Sequence, residues 1–214
     1  MMIFGILNCR FFACAGGLGG RMNLDMSRLR EAFFERDPVT CARELIGCRL
    51  VWQSCAGRIV ETEAYDAAGD PACHTWVRPS ARAFVANHQA GDAYVYLSYG
   101  NHWLFNILVK GRTAAGFVLL RAMEPVAGHD LMRERRGAAV KDARLAAGPG
   151  CLARALGIDR AAHGLEFLGS EDCGIFRGER PVVVCAGPRI GISQATELPW
   201  RFGDAASASL SRRF

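Results

Sequence analysis

The chain has 214 residues, half of them hydrophobic, which suffices for one substantial core and fits the usual size of about 100 to 200 residues for a single domain. The formal charge of +5 permits a polyanionic partner without demanding one, and the arginine excess accompanies abundant alanine, so it reads as genome composition. The 9 cysteines are odd in number and scattered, with no C-x-x-C pair, which argues against a disulfide framework and for buried thiols in a reducing compartment.

Taken in chain order, the first 21 residues are apolar and then glycine-rich. They lack the basic start of a secretory signal and are too short to cross a bilayer. They are expected to be a disordered or wrongly included extension ahead of a domain over 22–214, with Met22 or Met26 as the initiator. No later stretch reads as transmembrane. Leu29, Ala32 and Phe33 recur at helical spacing and predict a helix over 27–35, and Asp37-Pro38 opens a second one through Leu45. Two strands follow, 48–52 and 58–63, with Ser54-Cys55-Ala56-Gly57 as the turn. Residues 66–82 show no periodicity and predict a long loop of the functional kind. Strands are expected at 93–97 and 103–109 around a tip at 98–102, and a buried strand at 117–122. A basic helix is expected over 128–136, and another led in by Gly148-Pro149-Gly150 through Leu156. Late strands are expected at 181–186 and 189–192. Strands followed by helices, without βαβ alternation, predict an α+β domain: a mixed, largely antiparallel curved sheet surrounded by helices.

Period-two alternation along Val60-Glu61-Thr62-Glu63-Ala64-Tyr65 puts Glu61, Glu63 and Tyr65 on one strand face. Two carboxylates on one strand read most simply as a solvated acidic face. A partly desolvated carboxylate beside an arginine can instead activate a water as a general base. The aromatic pattern favours the second alternative. All four tyrosines fall between Tyr65 and Tyr99. Tyr94 and Tyr96 share a face, and Tyr99 stands at a turn, well placed to wedge between bases. Proteins that do chemistry on a base extrude it and stack it between aromatic walls, a role that suits Tyr65, His74 and Tyr96. The adjacent Cys73 and His74 have no second ligand pair at zinc spacing, so no metal and no cofactor are expected.

At this point the chain resembles the alkyladenine (3-methyladenine) DNA glycosylase family. The resemblance rests first on Gly57-Arg58-Ile59-Val60-Glu61-Thr62-Glu63-Ala64-Tyr65 and Asp70-Pro71-Ala72-Cys73-His74-Thr75. It continues in order through Tyr94-Val95-Tyr96-Leu97-Ser98-Tyr99-Gly100, Leu119-Leu120-Arg121-Ala122-Met123-Glu124-Pro125, Leu145-Ala146-Ala147-Gly148-Pro149-Gly150 and Leu198-Pro199-Trp200-Arg201-Phe202. Several ordered motifs at compatible spacing are more specific than any one of them.

The resemblance implies that Glu63 is the general base and that Arg121 helps hold the attacking water. It implies that Tyr65, His74 and Tyr96 stack on a flipped base, that Asn106 crowds the exocyclic amino group of guanine, and that Tyr99 is the wedge. Arg78, Ser80 and Arg82 fall where the family contacts backbone phosphates, which positions the protein without reading sequence. The implied partner is double-stranded DNA carrying damaged purines: 3-methyladenine, other alkylpurines, hypoxanthine or ethenoadenine. The protein is expected to act as a monomer, in the bacterial cytoplasm at the nucleoid or in a eukaryotic nucleus, with no membrane partner. Two departures, Ala86-Asn87 for the family's Met-Phe and Asn101 for the Met after Tyr-Gly, are expected near the lesion pocket or the DNA surface. A lesion binder that does not cut, and an RNA-binding or RNA-modifying protein with the same aromatic platform, are the alternatives.

Overall fold

The structure is a computed structural model and describes residues 28–178 and 182–214. The expectation about residues 1–21 lies outside them. Asp37 caps the helix α2 (Pro38–Glu44) by accepting from the Thr40 N–H, with Pro38 in the first turn. The helix expected over 27–35 shortens to α1 (Glu31–Phe34), because Arg28 instead bridges Phe176 across the sheet edge.

The centre is a long antiparallel ribbon of β2 (Cys55–Asp66) and β5 (Ala115–Ala127). On one side β5 pairs with β4 (His102–Lys110) and β4 with β3 (Ala93–Ser98). On the other side the first half of β2 pairs with β1 (Arg49–Trp52), which pairs with β6 (Cys173–Phe176). The second half of β2 pairs with β8 (Arg201–Asp204), itself paired with β7 (Val184–Gly187). Every pairing among the described residues is antiparallel, so the sheet shown has no parallel component, where a mixed sheet was expected.

The sheet's two faces are used differently. Alternation sends Thr62, Ala64, Val118, Leu120, Phe105, Ile107 and Val95 inward, and all are buried. There they meet α2 and α7 (Pro149–Leu156), whose Leu152, Ala153, Ala155 and Leu156 are buried. Between them in the chain lie α3 (His74–Val77), α4 (Pro79–Asn87), α5 (His129–Arg136) and α6 (Asp142–Leu145). The opposite face carries Glu63, Tyr65, Tyr94, Tyr96, Asn106, Phe117, Leu119 and Arg121. Register shifts occur between Ile59 and Glu61 and between Glu61 and Thr62, where the partners step from Ala122 to Leu120 and leave Arg121 unpaired on β5. A bulge of this kind bends the ribbon and re-aims the side chain.

Several expectations change for local physical reasons. The β1–β2 turn is Gln53-Ser54, with positive φ at Gln53, and Cys55, Ala56 and Gly57 belong to the strand. A Cβ on Gly57 would lie 2.6 Å from Met123 Sδ, so this glycine records a close strand approach where the sequence suggested a turn. The expected loop over 66–82 contains α3 and the start of α4, with Pro79 in the first turn of α4. Residues 189–192 form a loop, not a strand. The strand expected from Pro181 runs Val184–Gly187, Pro181 itself lying outside the described residues, and β6 and β8 were not foreseen.

Gly116 marks the tightest approach in the ribbon, since a Cβ there would sit 2.0 Å from the Tyr65 carbonyl oxygen. Gly116→Ala is therefore expected to push β5 from β2 beneath Tyr65 and cost about 1–3 kcal/mol, read as a lower urea midpoint.

Candidate active site

Tyr65, His74, Arg78, Tyr96, Tyr99, Asn106 and Arg121 all line one cavity of about 900 Å³. Its volume is at the upper end of ligand pockets. The cavity is also lined by Phe117 and Leu119 of β5, by Pro149-Gly150-Cys151 at the start of α7, and by the loop Ile190–Gln194. Ser80 and Arg82 lie outside this lining, exposed on α4.

Glu63 is fully buried one layer below the cavity surface, behind three of its lining residues. Its Oε2 accepts from the Tyr65 hydroxyl at 2.8 Å and from Arg121 Nη1 at 3.1 Å, and its Oε1 accepts from the Ile190 N–H at 2.7 Å. Burial pushes its carboxyl above the usual carboxylate range, against the pull of Arg121. Burial and the neighbouring Glu63 hold the Tyr65 phenol well above its ordinary value, so it remains a donor.

Glu61 has a different environment. Its Oε1 accepts from Arg121 Nε at 2.9 Å, Arg201 Nε at 2.8 Å and Ser211 Oγ at 2.7 Å, and its Oε2 accepts from the Ser211 N–H at 2.6 Å. Burial pushes its carboxyl up, but Arg121, Ser211 and Arg201 outweigh that and carry it below the usual range. Glu61 thus stays ionised and saturated with donors, while Glu63 is the carboxylate with a raised proton affinity.

The aromatic walls are held from behind. Arg189 lies over the Tyr65 ring with its guanidinium carbon 4.7 Å from the centroid, and over Trp200 at 5.3 Å. Both its Nη atoms donate to the buried Asp70 carboxylate, Nη2 at 2.9 Å. The His74 ring stands edge-on to Tyr96, centroids 4.3 Å apart, and its Nδ1 is 3.2 Å from the Tyr94 hydroxyl. Burial, with Arg78 nearby, pulls the His74 imidazole down to about 4, so it is neutral near pH 7. Asn106 donates its side-chain N–H to the Tyr94 carbonyl at 3.1 Å, which fixes the amide across the β3–β4 pair.

Tyr99 is 91% exposed at the β3–β4 tip, with a left-handed φ of 49° followed by Gly100 at 73°. An exposed aromatic on a backbone conformation rare for non-glycine residues is a feature that stability alone does not require. Arg78 is exposed beside the Tyr96 ring, 5.8 Å from its centroid. Arg82 is turned back to donate to the Thr75 carbonyl at 2.6 Å, closing the end of α3. Ala86 and Asn87, expected near the pocket or the DNA surface, end α4 outside the cavity lining, because α4 turns its Ala81 and Phe84 to the sheet instead. Asn101 is in the hairpin tip beside Tyr99.

Sequence reasoning missed Arg189, Asp70, Ile190, Arg201 and Ser211 as parts of the site. Asp70 and Arg201 stood inside recognised motifs, yet nothing in the sequence marked them as buried partners. Among the described residues no group of three or more His, Cys, Asp or Glu could hold a metal ion, and no helix is long and apolar enough to cross a membrane.

The family model for methylpurine-DNA glycosylase matches residues 32–208. The chain belongs to this family. Membership makes it a DNA N-glycosylase, a hydrolase of N-glycosyl bonds. A relative from Nitrosospira multiformis, named "Putative 3-methyladenine DNA glycosylase", is 44% identical over 182 residues, covering 85% of this chain and 92% of its own. Relatives of the same name from Rhodopseudomonas palustris (strain HaA2) and Chlorobium luteolum are 45% and 40% identical, each covering 87% of this chain and 91% and 98% of their own.

Removing the Glu61 charge takes the carboxylate from the buried Arg201 and leaves Arg121 with Glu63 alone, a change of the kind that typically costs about 3–5 kcal/mol. Because the folded carboxyl is depressed, its contribution is present above the unfolded value of 4.5 and lost as pH falls through the folded value. Glu61→Gln should therefore be markedly less stable than the parent in urea at pH 7, with the gap closing in acid.

Proposed function

We propose that this glycosylase flips a damaged purine out of duplex DNA into the cavity and hydrolyses its bond to deoxyribose with a water activated by Glu63. The observation that carries this reading is a fully buried carboxylate with a raised proton affinity, directly beneath a cavity walled by Tyr65, His74 and Tyr96. A carboxylate has about four acceptor sites, and hydrogen bonds take three of those of Glu63. The remaining site, on Oε1, is the one the attacking water would take.

In the proposed step the water oxygen bonds to the anomeric carbon as the carbon–nitrogen bond breaks and its electron pair leaves with the base. Glu63 takes the water proton, and its negative charge stabilises the positive charge developing on the sugar. Arg121 holds Glu63 and the water in place. An alkylpurine such as 3-methyladenine is already cationic and leaves readily, whereas neutral hypoxanthine or ethenoadenine needs a proton on departure. The base stacks on the face of Tyr65 turned away from Arg189, against the edge pair His74 and Tyr96. The amide of Asn106, pinned by Tyr94, cannot swing aside for the amino group of guanine.

Tyr99 fills the gap left in the duplex, and Arg78, Ser80 and Arg82 contact the backbone, Arg82 after releasing the Thr75 carbonyl. The enzyme acts as a monomer on a single lesion, at the bacterial nucleoid, in keeping with its bacterial relatives.

Glu63→Gln keeps the size of the side chain and removes the base. Single-turnover release of hypoxanthine or an alkylpurine from a labelled duplex is expected to fall by about a hundred-fold to ten-thousand-fold, while binding to the same duplex is retained. Excision at near the parental rate would exclude Glu63 as the base. A parent that binds lesions without cutting would be a lesion binder, and a preference for matched RNA would point to an RNA-directed protein.

Tyr99→Ser is expected to weaken binding to lesion duplex more than to the same lesion in single-stranded DNA, since only a duplex needs its gap filled. Equal losses in a binding titration would assign Tyr99 a folding role.

Lys110 Nζ donates to the carbonyls of Ala86 and His88 at 3.3 and 3.0 Å, Lys141 precedes α6, and neither lines the cavity. A lyase step needs an amine nucleophile. Borohydride is therefore expected to trap no covalent adduct with lesion DNA, and an adduct mapped to either lysine would overturn the hydrolytic reading.

A further inference from the structure

Beyond β8, at residue 204, the chain folds back across the sheet and enters the charged cluster beneath the cavity. The family match ends at residue 208, so most of this segment lies outside it. Ser209 and Leu210 are nevertheless 2% and 5% exposed. Three contacts tie the segment down: Arg144 Nη1 donates to the Leu210 carbonyl at 3.0 Å, Arg201 Nη2 donates to the Arg212 carbonyl, and the Phe214 ring lies 4.0 Å from the Arg201 guanidinium carbon. A Cβ at Gly203 would come within 2.5 Å of the Phe214 ring, so a strand glycine makes room for it.

The point of entry is Ser211. Its N–H and hydroxyl bind both oxygens of Glu61, and its Oγ accepts from Arg121 Nη2 at 3.3 Å. Each nitrogen of the Arg121 guanidinium then has its own anchor: Nε on Glu61, Nη1 on Glu63 and Nη2 on Ser211. A planar group held at three corners cannot turn. With the Ser211 corner released, the guanidinium is held only by Glu61 and Glu63 and has freedom to tilt, which weakens its contact with Glu63.

We propose that this segment completes the catalytic site, with Ser211 as a positioning residue that holds Arg121 against Glu63. The proposal rests on Glu63 being the general base, as argued above. Its electrostatic consequence has a definite sign. The groups facing Glu63 are Arg121 from β5, Tyr65 and Glu61 from β2, Tyr96 from β3, and Arg189 with the Ile190 N–H from the loop before β8. Arg121 is the cation in contact with it, and its pull opposes the upward push of burial. Loosening Arg121 must raise the proton affinity of Glu63 and move the acid limb of the reaction to higher pH.

The test compares Ser211→Ala, which keeps the backbone donor to Glu61 and deletes only the hydroxyl, with Ser211→Thr, which restores a hydroxyl. Single-turnover release of hypoxanthine from duplex is expected to slow about ten-fold in Ser211→Ala at neutral pH, because the deleted hydroxyl both donates to Glu61 and accepts from Arg121, two hydrogen bonds to charged groups. Affinity for the lesion duplex should be unchanged, and the acid limb should move up. The Glu63 carboxyl, followed in the DNA-free protein by carbon-13 NMR, should titrate at higher pH in Ser211→Ala, and Ser211→Thr should recover both rate and titration. An unchanged Glu63 titration in Ser211→Ala, or loss of rate and binding together without a shifted limb, would overturn the proposal. A parent protein that excises nothing would instead overturn the general-base reading, while the carboxyl titration would still report whether Ser211 governs Glu63.

Discussion

Two carboxylates buried side by side on one strand face cannot both ionise unless a cation stands between them, and the rest of this site follows from that constraint. Arg121 is that cation, donating Nε to Glu61 and Nη1 to Glu63. It can do so because the bulge in the β2–β5 ribbon leaves it unpaired on its strand, turned into the concave face. Unequal partners then separate the two acids. Glu61 is supplied by Arg201 and by both donors of Ser211, so its charge is neutralised in place. Glu63 shares Arg121 and otherwise receives only a phenol and one amide, and burial dominates. Two chemically identical groups, neighbours on one face, thereby acquire different proton affinities, the arrangement from which acid and base roles can be assigned.

A second buried charge pair sets the geometry of the aromatic wall. Asp70 and Arg189 neutralise one another out of water, and the guanidinium plane lies against the back of Tyr65 with Trp200 nearby. One face of Tyr65 is thus occupied by the protein and the other is left to the cavity. The same ring's hydroxyl reaches Glu63, so wall and carboxylate are parts of one rigid unit. Replacing a buried ion pair by apolar packing is often neutral or stabilising; what the charged version holds here is the guanidinium fixed over Tyr65 by two bonds to Asp70.

Stability and exposure are divided accordingly along the sheet. Inward-facing side chains of β2, β4 and β5 build the core against α2 and α7, while the opposite face carries polar and aromatic groups over a cavity. The β3–β4 hairpin ends in Tyr99, which is neither buried nor in a relaxed backbone conformation. In a domain whose other three tyrosines are wholly or partly buried, that one exposed ring stands at the rim of the cavity.

The period-two pattern around Glu61, Glu63 and Tyr65, the cap at Asp37 and the tyrosine hairpin were legible in the sequence, because each depends on near neighbours and a fixed geometric period. The ordered motifs also carried the family resemblance. Gly57 and Pro79 misled, since a glycine read as a turn records a close strand approach and a proline read as a loop begins a helix. The sequence could name Glu63 and Arg121 only by resemblance, and it could not tell which of two adjacent carboxylates would be saturated. That depended on contacts between residues up to 150 positions apart: Arg201 and Ser211 on Glu61, Ile190 on Glu63, Arg189 on Asp70. The sequence by itself determined which residue types share a strand face; the tertiary structure decided their proton affinities, because desolvation and ion pairing depend on what the rest of the chain brings next to each group in space.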